Sequence, residues 1–321
     1  MQSTLKKFIR DTKKIQIAVI GDVMLDQFSY GFIARMSPEC STAPVIQINH
    51  TSYFLGGALN VANNIITLGG HADIYSIVGN DTHADLLLRL SKKSQIPTKG
   101  IVKSKNATTT VKQRVVVNDA HHARVDFEKN THVSKDRNTL LNLFLKNITS
   151  YDIVIISDYA KGVIDEQLLQ KIALNAKKHS MPIIVDTKPA HIHMYKNKNI
   201  HLFTPNTKEL HESVGVKHYK KAAHKFVQDF GTNVLVTRGA DGMSHFDQNL
   251  TEIHQHSHSS NVVDVSGCGD TVIGALSLAL ALRYSITDAI YIASVAAAVV
   301  VEKQGVSSVT KRELLRQVSD A

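Results

Sequence analysis

The segment DVSGCGDTVIGALSLALAL, residues 264–282, places two glycines and an aspartate directly before a long apolar stretch. Gly267 and Gly269 allow tight backbone geometry, and the apolar stretch predicts a helix that begins near Asp270. The start of a helix carries unpaired N–H groups and the positive end of the helix dipole, which suit a bound phosphate. An aspartate there can accept a proton from an attacking hydroxyl, or it can simply cap the helix. The segment alone leaves both interpretations open.

The elements around this segment indicate a mainly parallel sheet with helices on both faces. Apolar, strand-like segments alternate with helical ones over most of the chain, which is typical of an α/β domain. Ligands bind at the carboxyl edge of such sheets. Polar residues at the ends of predicted strands are therefore site candidates: Asp22, Asp158, Asp186, Asn206 and Arg238.

Residues 27–55 and about 105–128 break this alternation. They contain short alternating runs, including APVIQINHT, TTVKQRVVVND and ARVDFE, without a helical pattern between them. We expect these runs to form a small antiparallel sheet that projects from the main domain as a lid. Because no long linker separates the two parts, residues 1–321 are predicted to form one domain.

The composition is that of a soluble globular protein, with 43% hydrophobic and 20% charged residues in 321 positions. No apolar run reaches the roughly 18 residues of a membrane span, and the polar, basic N-terminus lacks the apolar core of a secretory signal. Two cysteines, Cys40 and Cys268, provide no disulfide framework. We therefore expect a cytoplasmic protein with reduced thiols and no membrane partner.

The net charge of +9 permits nucleic-acid binding, but it fits an enzyme for anionic metabolites equally well. The lysines are scattered and tryptophan is absent, so no basic stripe alternates with aromatic residues. This pattern favours small anionic ligands over nucleic acid as partners. A basic nucleic-acid-binding protein remains the alternative.

The motifs together resemble those of the ribokinase-like (phosphofructokinase-B) sugar kinases. The segment that contains Asp270 is similar to the C-terminal signature of that family, whose usual core is D-x-x-G-A-G-D, and GGALNVANNIITLG (56–69) is similar to its N-terminal signature. The resemblance covers essentially the whole chain and implies a doubly wound, mainly parallel α/β fold with a small β-sheet lid. Three further segments carry it: IAVIGDVMLD (17–26), TPNTKE (204–209) and LVTRGADGM (235–243).

Within the family, the resemblance is strongest to kinases of a heptose phosphate. Segments such as GDVMLDQFSYG (21–31), SDYAKG (157–162) and VDTK (185–188) carry it. It implies that ATP phosphorylates O1 of D-glycero-β-D-manno-heptose 7-phosphate, in the synthesis of ADP-heptose for lipopolysaccharide. The family's heptose enzyme also has a nucleotidyltransferase half, for which this sequence has no segment. We therefore expect a stand-alone kinase, or a kinase module of a longer protein.

The resemblance also assigns residues to the transfer step and to the sugar. It implies that Asp270 is the base that deprotonates the sugar hydroxyl. The backbone N–H groups of Gly267, Cys268 and Gly269 would stabilise charge on the transferring phosphoryl group. The residues implied to contact the sugar are Asp26, Gly56, Gly57 and Asn60.

A further set of residues is implied to hold the nucleotide. Asn206 and Glu209 match a motif that holds Mg²⁺ through water and orients the phosphates of ATP; a monovalent cation is a second candidate cofactor. Thr237, Arg238 and Gly239 match the strand beside the nucleotide, and Gly305 lies where the family places the adenine pocket.

The phosphate already present on a heptose 7-phosphate needs cations. Lys161, Lys188, Arg114 and Arg124 are the candidates, because arginine binds phosphate through bidentate geometry and lysine through a point charge. Asp158 and Asp186 could orient the lysines or contact hydroxyls. Each of these cations taken alone could equally be a solvated surface charge.

Cys268 departs from the family pattern, which has alanine at this position. A helix N-terminus can lower the pKa of a thiol, so we expect alkylation of Cys268 to inhibit the protein and ATP to protect it. The lid segment RMSPECSTAPV (35–45) is also one or two residues longer than the family pattern suggests.

The resemblance implies a homodimer, because lids pair in several members of the family. Two alternatives stay open: another sugar or sugar-phosphate kinase of the same fold, such as a ribokinase or a ketose-phosphate kinase, and a non-catalytic sugar-binding regulator.

Overall fold

Two β-sheets organise the part of the chain that the computed structural model describes, which comprises residues 2–118, 120–129, 133–259 and 261–317. The strands are β1 (Gln16–Gly21), β2 (Val23–Met36), β3 (Pro44–Gly57), β4 (His71–Gly79), β5 (Gly100–Ser104), β6 (Thr110–Val117), β7 (Ala120–Phe127), β8 (Ile153–Asp158), β9 (Ile183–Thr187), β10 (Leu202–Phe203), β11 (Asn233–Thr237), β12 (Met243–Phe246) and β13 (Glu252–Gln255). The helices are α1 (Gln2–Asp11), α2 (Ala58–Thr67), α3 (Thr82–Lys93), α4 (Ser134–Leu145), α5 (Glu166–Lys178), α6 (Thr207–Val214), α7 (Tyr219–Phe230), α8 (Cys268–Ala281), α9 (Ile286–Val301) and α10 (Lys311–Arg316).

The larger sheet has nine strands in the order β13-β12-β11-β10-β9-β8-β1-β4-β5. The seven strands from β11 to β5 are parallel, and β12 and β13 extend the sheet in antiparallel fashion. The central strands are apolar throughout because helices cover both faces. The mainly parallel α/β sheet expected from the sequence is thereby confirmed.

The helices form one layer on each face of this sheet. Side chains of α1, α2, α3, α8, α9 and α10 share one buried cluster, and those of α4, α5, α6 and α7 share the other. α9 is almost wholly buried, with alanine and valine on every side. Among the described residues, no helix is both long and apolar enough to cross a bilayer.

The smaller sheet has the order β3-β2-β6-β7. β2 and β3 form a long antiparallel hairpin, and β6 and β7 form a second one, but β2 and β6 pair in parallel. The prediction of an entirely antiparallel lid was therefore wrong. Both β2, which follows β1, and β6, which follows β5, leave the carboxyl edge of the main sheet, and this shared origin makes them parallel.

The carboxyl edge of the main sheet and the smaller sheet enclose the site. The lid region predicted as 27–55 and about 105–128 corresponds to strands that span Val23 to Gly57 and Thr110 to Phe127. Because only Asp22 separates β1 of the main sheet from β2 of the smaller sheet, Asp22 lies at the edge of the main sheet and Asp26 lies in the smaller sheet close to it.

Candidate functional site

Asp270 lies in the first turn of α8 and is almost completely buried. One carboxylate oxygen accepts a hydrogen bond from Asn60 Nδ2 at 2.8 Å, and the other accepts one from the Tyr159 hydroxyl at 2.8 Å. Burial raises the pKa of Asp270 to about 6, although both hydrogen bonds act to lower it. Asp270 is thus mostly ionised at neutral pH and close enough to neutrality to take a proton.

Gly267, rather than Asp270, is the capping residue of α8. It has a φ of 80°, and a Cβ there would lie 2.6 Å from Asn60 Nδ2. Both facts require glycine. Apart from its chain neighbours and the backbone of α8, no atom of the described residues lies within 4 Å of a Cβ built on Gly269, so this side of the turn is open to a ligand. The simple helix-cap interpretation of Asp270 is therefore wrong, because its side chain binds Asn60 and Tyr159 instead.

Two glycines at the end of β3 bring backbone close to the carboxylates. A Cβ on Gly56 would lie 2.1 Å from Asp26 Oδ2, and Gly57 has a φ of 59° and faces the backbone of Asp22. Asn60 follows in α2 and is buried. Asn60 donates to Asp270, and Asp26 lies close enough for its charge to act on Asp270. Arg114 of β6 pairs with Asp26 at the same place.

Tyr159 is a site residue that the sequence reasoning did not identify. Its backbone N–H donates to Asp22 Oδ2 at 2.9 Å, which fixes the loop after β8. Two ammonium groups lie over its ring, with Lys112 Nζ at 5.1 Å and Lys188 Nζ at 4.8 Å from the ring centroid. The segment SDYAKG offered a signal, because it places a tyrosine directly after a strand that ends in aspartate.

A cavity of about 600 Å³ extends from Asp270 along the carboxyl edge of the main sheet. Gly267, Cys268 and Gly269 line the end next to Asp270. The predicted residues that line the rest are Asp186, Lys188, Asn206, Glu209, Thr237 and Gly239. The far end is apolar and suits a flat aromatic group. Its lining residues, which the sequence reasoning missed, include Met243, Val262, Val265, Ala297, Ala298 and Val301.

The motif around Asn206 forms a capping box at the start of α6. Asn206 Oδ1 accepts from the backbone N–H of Glu209 at 2.9 Å, and Glu209 Oε2 accepts from that of Asn206 at 3.0 Å. Glu209 Oε1 pairs with Lys188 Nζ at 2.5 Å. The motif therefore has a structural role, which is to cap α6, and the Glu209 carboxylate also lines the cavity.

The carboxylates of this cavity fit a hydrated Mg²⁺ ion rather than an all-protein metal cage. Within the described ranges, no cluster of three or more histidine, cysteine or acidic residues could hold a metal. Asp186 and Glu209 nevertheless offer hard oxygen donors, and Mg²⁺ commonly keeps water and phosphate oxygens as its other ligands. Burial raises the pKa of Asp186 to about 7, and a cation nearby would favour its ionised form.

Asp158 is placed differently from the expectation. Its side chain is fully buried and accepts hydrogen bonds from Thr187 Oγ1 at 3.1 Å, His191 Nδ1 at 3.0 Å and Tyr195 OH at 2.8 Å. The carboxylate does not contact Lys161 or Lys188 through these bonds; it ties the ends of β8 and β9 to the following helical turn.

Three of the predicted cationic residues also have partners within the protein, two in ion pairs and one on an aromatic ring. Lys161 pairs with Glu128 at 2.6 Å, and Arg124 pairs with Asp126 at 2.9 Å on the exposed strand β7. Arg238 lies over the Tyr219 ring at 4.2 Å and turns away from the cavity that Thr237 and Gly239 line.

Gly305 also lies outside the cavity lining. Its N–H donates to Asp264 Oδ2 at 3.0 Å. A Cβ on Gly305 would lie 3.8 Å from the rings of Phe28 and Phe54, so the residue faces the smaller sheet rather than the apolar end of the cavity.

Cys268 lines the cavity, but its surroundings raise the pKa of the thiol instead of lowering it. Burial, reinforced by the negative charge of Asp270, raises the pKa of the thiol to about 11. The expectation of a lowered thiol pKa was therefore wrong.

The sequence also has clear relatives. Residues 14–312 match the profile described as pfkB family carbohydrate kinase. Two curated relatives, both named bifunctional protein HldE, are 34% identical over 312 residues in Desulfatibacillum aliphaticivorans and 36% identical over 317 residues in Gluconobacter oxydans. The alignments cover 95% and 97% of this chain, but 63% and 66% of the relatives. The chain thus spans somewhat less than two thirds of the length of these relatives.

Solved structures share the fold. Ribokinase of Arabidopsis thaliana, complexed with ribose and ATP, has a TM-score of 0.75 at 18% identity and matches over 95% of this chain and 98% of that one. Phosphofructokinase-2 of Escherichia coli, in complex with substrates and products, has a TM-score of 0.79 at 21% identity over 95% and 99%. These likenesses confirm the ribokinase-like fold. Because the family profile extends over nearly the whole sequence, the chain belongs to the pfkB family of carbohydrate kinases.

Proposed function

We propose that the chain transfers the γ-phosphoryl group of ATP to O1 of D-glycero-β-D-manno-heptose 7-phosphate, giving the 1,7-bisphosphate and ADP, as a step toward ADP-heptose for lipopolysaccharide. The observation that carries the transfer reaction is the position of Asp270. This buried carboxylate stands where the cavity next to Gly267–Gly269 meets the space lined by Asp26 and Asn60. The choice of a heptose phosphate is supported by the resemblance of SDYAKG, VDTK and the neighbouring segments.

In the proposed reaction, Asp26, Asn60 and the backbone at Gly56 position the sugar with one hydroxyl next to Asp270. The hydroxyl oxygen forms a bond to the γ-phosphorus while the bond from that phosphorus to the β-phosphate oxygen breaks. Asp270 accepts the hydroxyl proton, and the N–H groups at the start of α8 stabilise the charge on the phosphoryl oxygens. Positioning and electrostatics supply most of the catalysis in such transfers.

The remaining charged groups of the cavity would hold the triphosphate. Lys188 was predicted to bind the sugar phosphate, but it lines the cavity beside Glu209, and we assign it to the nucleotide phosphates. Asn206, Glu209 and Asp186 would hold Mg²⁺ through water. When bound, the ion would neutralise part of the negative charge of the phosphates. A monovalent cation stays a candidate cofactor, since one structural neighbour, phosphofructokinase-2 of Escherichia coli, was solved in complex with potassium.

The smaller sheet is also the proposed homodimer surface. Large hydrophobic residues are concentrated and exposed on it, as expected for a face that a second copy covers. They are Phe32, Ile33, Met36, Ile48, Tyr53, Val125 and Phe127. Light scattering after size-exclusion chromatography would give twice the mass of 35.3 kDa, and a monomer at all concentrations would contradict the dimer. ATP as donor makes the cytoplasm the expected compartment.

A coupled ADP-release assay tests the proposed function. It compares D-glycero-β-D-manno-heptose 7-phosphate with ribose and fructose 6-phosphate, and the Asp270→Asn variant is the control for contaminating kinases. We expect the heptose phosphate to give the highest kcat/KM. A preference for ribose or fructose 6-phosphate would instead establish another sugar kinase of this fold. Sugar binding without ADP release from any of the three would indicate a non-catalytic sugar-binding regulator.

A further inference from the structure

Five cationic side chains either lie over the Tyr159 ring or act by charge on one that does, and four of them have a carboxylate partner. Arg114 pairs with Asp26, Lys161 with Glu128, Arg124 with Asp126 and Lys188 with Glu209. The fifth is Lys112 of β6. In the described part of the chain, no carboxylate pairs with Lys112 and no hydrogen bond engages its ammonium group; its contact is with the face of the Tyr159 ring.

The position of Lys112 explains why this is unusual. In the β2–β6 ladder, Lys112 lies directly opposite Asp26, yet Asp26 pairs with Arg114. Lys112 and Arg114 are two residues apart on one strand and therefore point to the same face. Burial is the main cause that lowers the pKa of Lys112; the charge of Asp26 acts against it, and the positive charges of Lys161, Arg114 and Arg124 lower the pKa further. A half-buried ammonium group that lies near three other cations and has no ion-pair partner within the described ranges is stabilised by an incoming anion.

Tyr159 relates Lys112 to the reaction centre. The tyrosine hydroxyl holds Asp270, and the tyrosine ring carries the ammonium of Lys112 on its face. A sugar whose reacting hydroxyl meets Asp270 would lie alongside this ring, with its distant end toward the smaller sheet. Among the described residues near that end, Lys112 is the cation without an ion-pair partner, and Arg114 and Lys161, which have carboxylate partners, act on it by charge.

We propose that Lys112 binds the phosphate group that the sugar substrate already carries, and thereby makes the site selective for phosphorylated sugars. This inference rests on the proposed sugar-kinase site, but not on the identity of the sugar. A phosphate dianion is the ligand of choice because it can accept from Lys112 and from neighbouring Arg114 or Lys161 at once. A sugar hydroxyl in the same place would leave the excess positive charge uncompensated.

The test is the selectivity of the full chain for three sugars against their phosphates: the heptose and its 7-phosphate, fructose and its 6-phosphate, and ribose and its 5-phosphate. Steady-state kinetics at saturating ATP are measured for the wild type, Lys112→Met, Lys112→Gln and Lys112→Arg. Lys105→Met is the matched control, because Lys105 is an exposed lysine before the same strand. Thermal denaturation establishes which variants are folded. If Lys112→Met does not fold, Lys112→Gln is used in its place.

We expect Lys112→Met to lower the ratio of kcat/KM for the phosphorylated over the unphosphorylated sugar by about tenfold or more, through a higher KM for the sugar phosphate. Lys112→Arg should recover most of the ratio, and Lys105→Met should leave it unchanged. Equal losses on both members of a pair, or an unchanged ratio, would overturn the proposal. A wild-type preference for the unphosphorylated sugar in every pair would also overturn it. If fructose 6-phosphate or ribose 5-phosphate proves the best substrate, the heptose assignment fails, and the role of Lys112 is decided on that pair.

Discussion

Replacing Tyr159 by phenylalanine is predicted to shift the pH dependence of the reaction toward higher pH. The substitution keeps the ring that Lys112 and Lys188 contact and removes the hydroxyl that donates to Asp270 Oδ1 at 2.8 Å. That hydrogen bond stabilises the ionised form of the carboxylate and lowers its pKa, against burial, which raises it to about 6. Without the hydroxyl, protonated Asp270 is favoured, and a protonated carboxyl cannot accept the proton of the sugar hydroxyl.

The size of the effect follows from the single bond that is lost. A hydrogen bond to a charged group contributes about 1.5–3 kcal/mol, and 1.36 kcal/mol corresponds to a tenfold change in a protonation constant. Asn60 still donates to the other oxygen, so the lower end of that range applies. The pKa of Asp270 should therefore rise from about 6 to about 7. At pH 6 the ionised fraction would fall about fivefold, whereas above pH 8 it would hardly change.

The assay is kcat/KM for the sugar between pH 5 and pH 9 at saturating ATP. The acidic limb should have its midpoint near pH 6 in the wild type and about one pH unit higher in Tyr159→Phe. Tyr284→Phe serves as the control, because the Tyr284 hydroxyl contacts the backbone oxygen of Thr4, 3.5 Å away in the N-terminal helix. A uniform loss of activity with an unchanged midpoint would refute the role of the hydroxyl in holding the base. A midpoint at lower pH would refute the sign of the effect.

Three further predictions concern the start of α8. Asp270→Asn should lower kcat by several orders of magnitude while the sugar, titrated calorimetrically, still binds; near-normal turnover would exclude Asp270 as the base. Gly267→Ala should reduce kcat by about tenfold or more, because the strained backbone and the new Cβ displace Asn60. Gly215→Ala is the control, because Gly215 has a comparable φ of 70° and a Cβ there would meet no described neighbour within 4 Å. This variant should lose stability but not activity, and equal kcat values in the two variants would contradict the displacement of Asn60. At pH 7, iodoacetamide should label exposed Cys40 before Cys268, whose thiol pKa is raised to about 11; peptide mass spectrometry that finds Cys268 labelled first would contradict this order.

The sequence predicts this site best where chemistry and local structure coincide. Gly267 and Asp270 lie three residues apart, so their relation depends on one turn that the local sequence determines. Asn60 could be placed near them only through the family resemblance, since the bond between Asn60 and Asp270 joins residues 210 positions apart. The parallel main sheet was predictable for a similar reason, because apolar strands buried on both faces leave a direct trace in composition.

Burial separates residues that look alike in the sequence. Asp158 and Asp186 both stand at the end of an apolar strand. Asp186 faces the cavity, whereas Asp158 is enclosed by Thr187, His191 and Tyr195. Those three donors come from the next strand and the helical turn that follows it. No local pattern reveals which aspartate they surround, so the sequence could not distinguish a ligand-facing carboxylate from a structural one.

Lys112 was inaccessible to sequence reasoning for a different reason, which is the register between strands. Lys112 and Arg114 belong to the same alternating run, and by residue type alone arginine is the more probable ligand of a phosphate. The register of β2 and β6 places Lys112 opposite Asp26, and only the side-chain arrangement in the folded sheet shows that Asp26 forms its ion pair with Arg114 instead. Arg114, which its residue type favours as the phosphate ligand, is thus already paired with Asp26 inside the protein. The cation available to an incoming anion is the one whose partner is missing, and that is a property of the folded sheet rather than of the residue type.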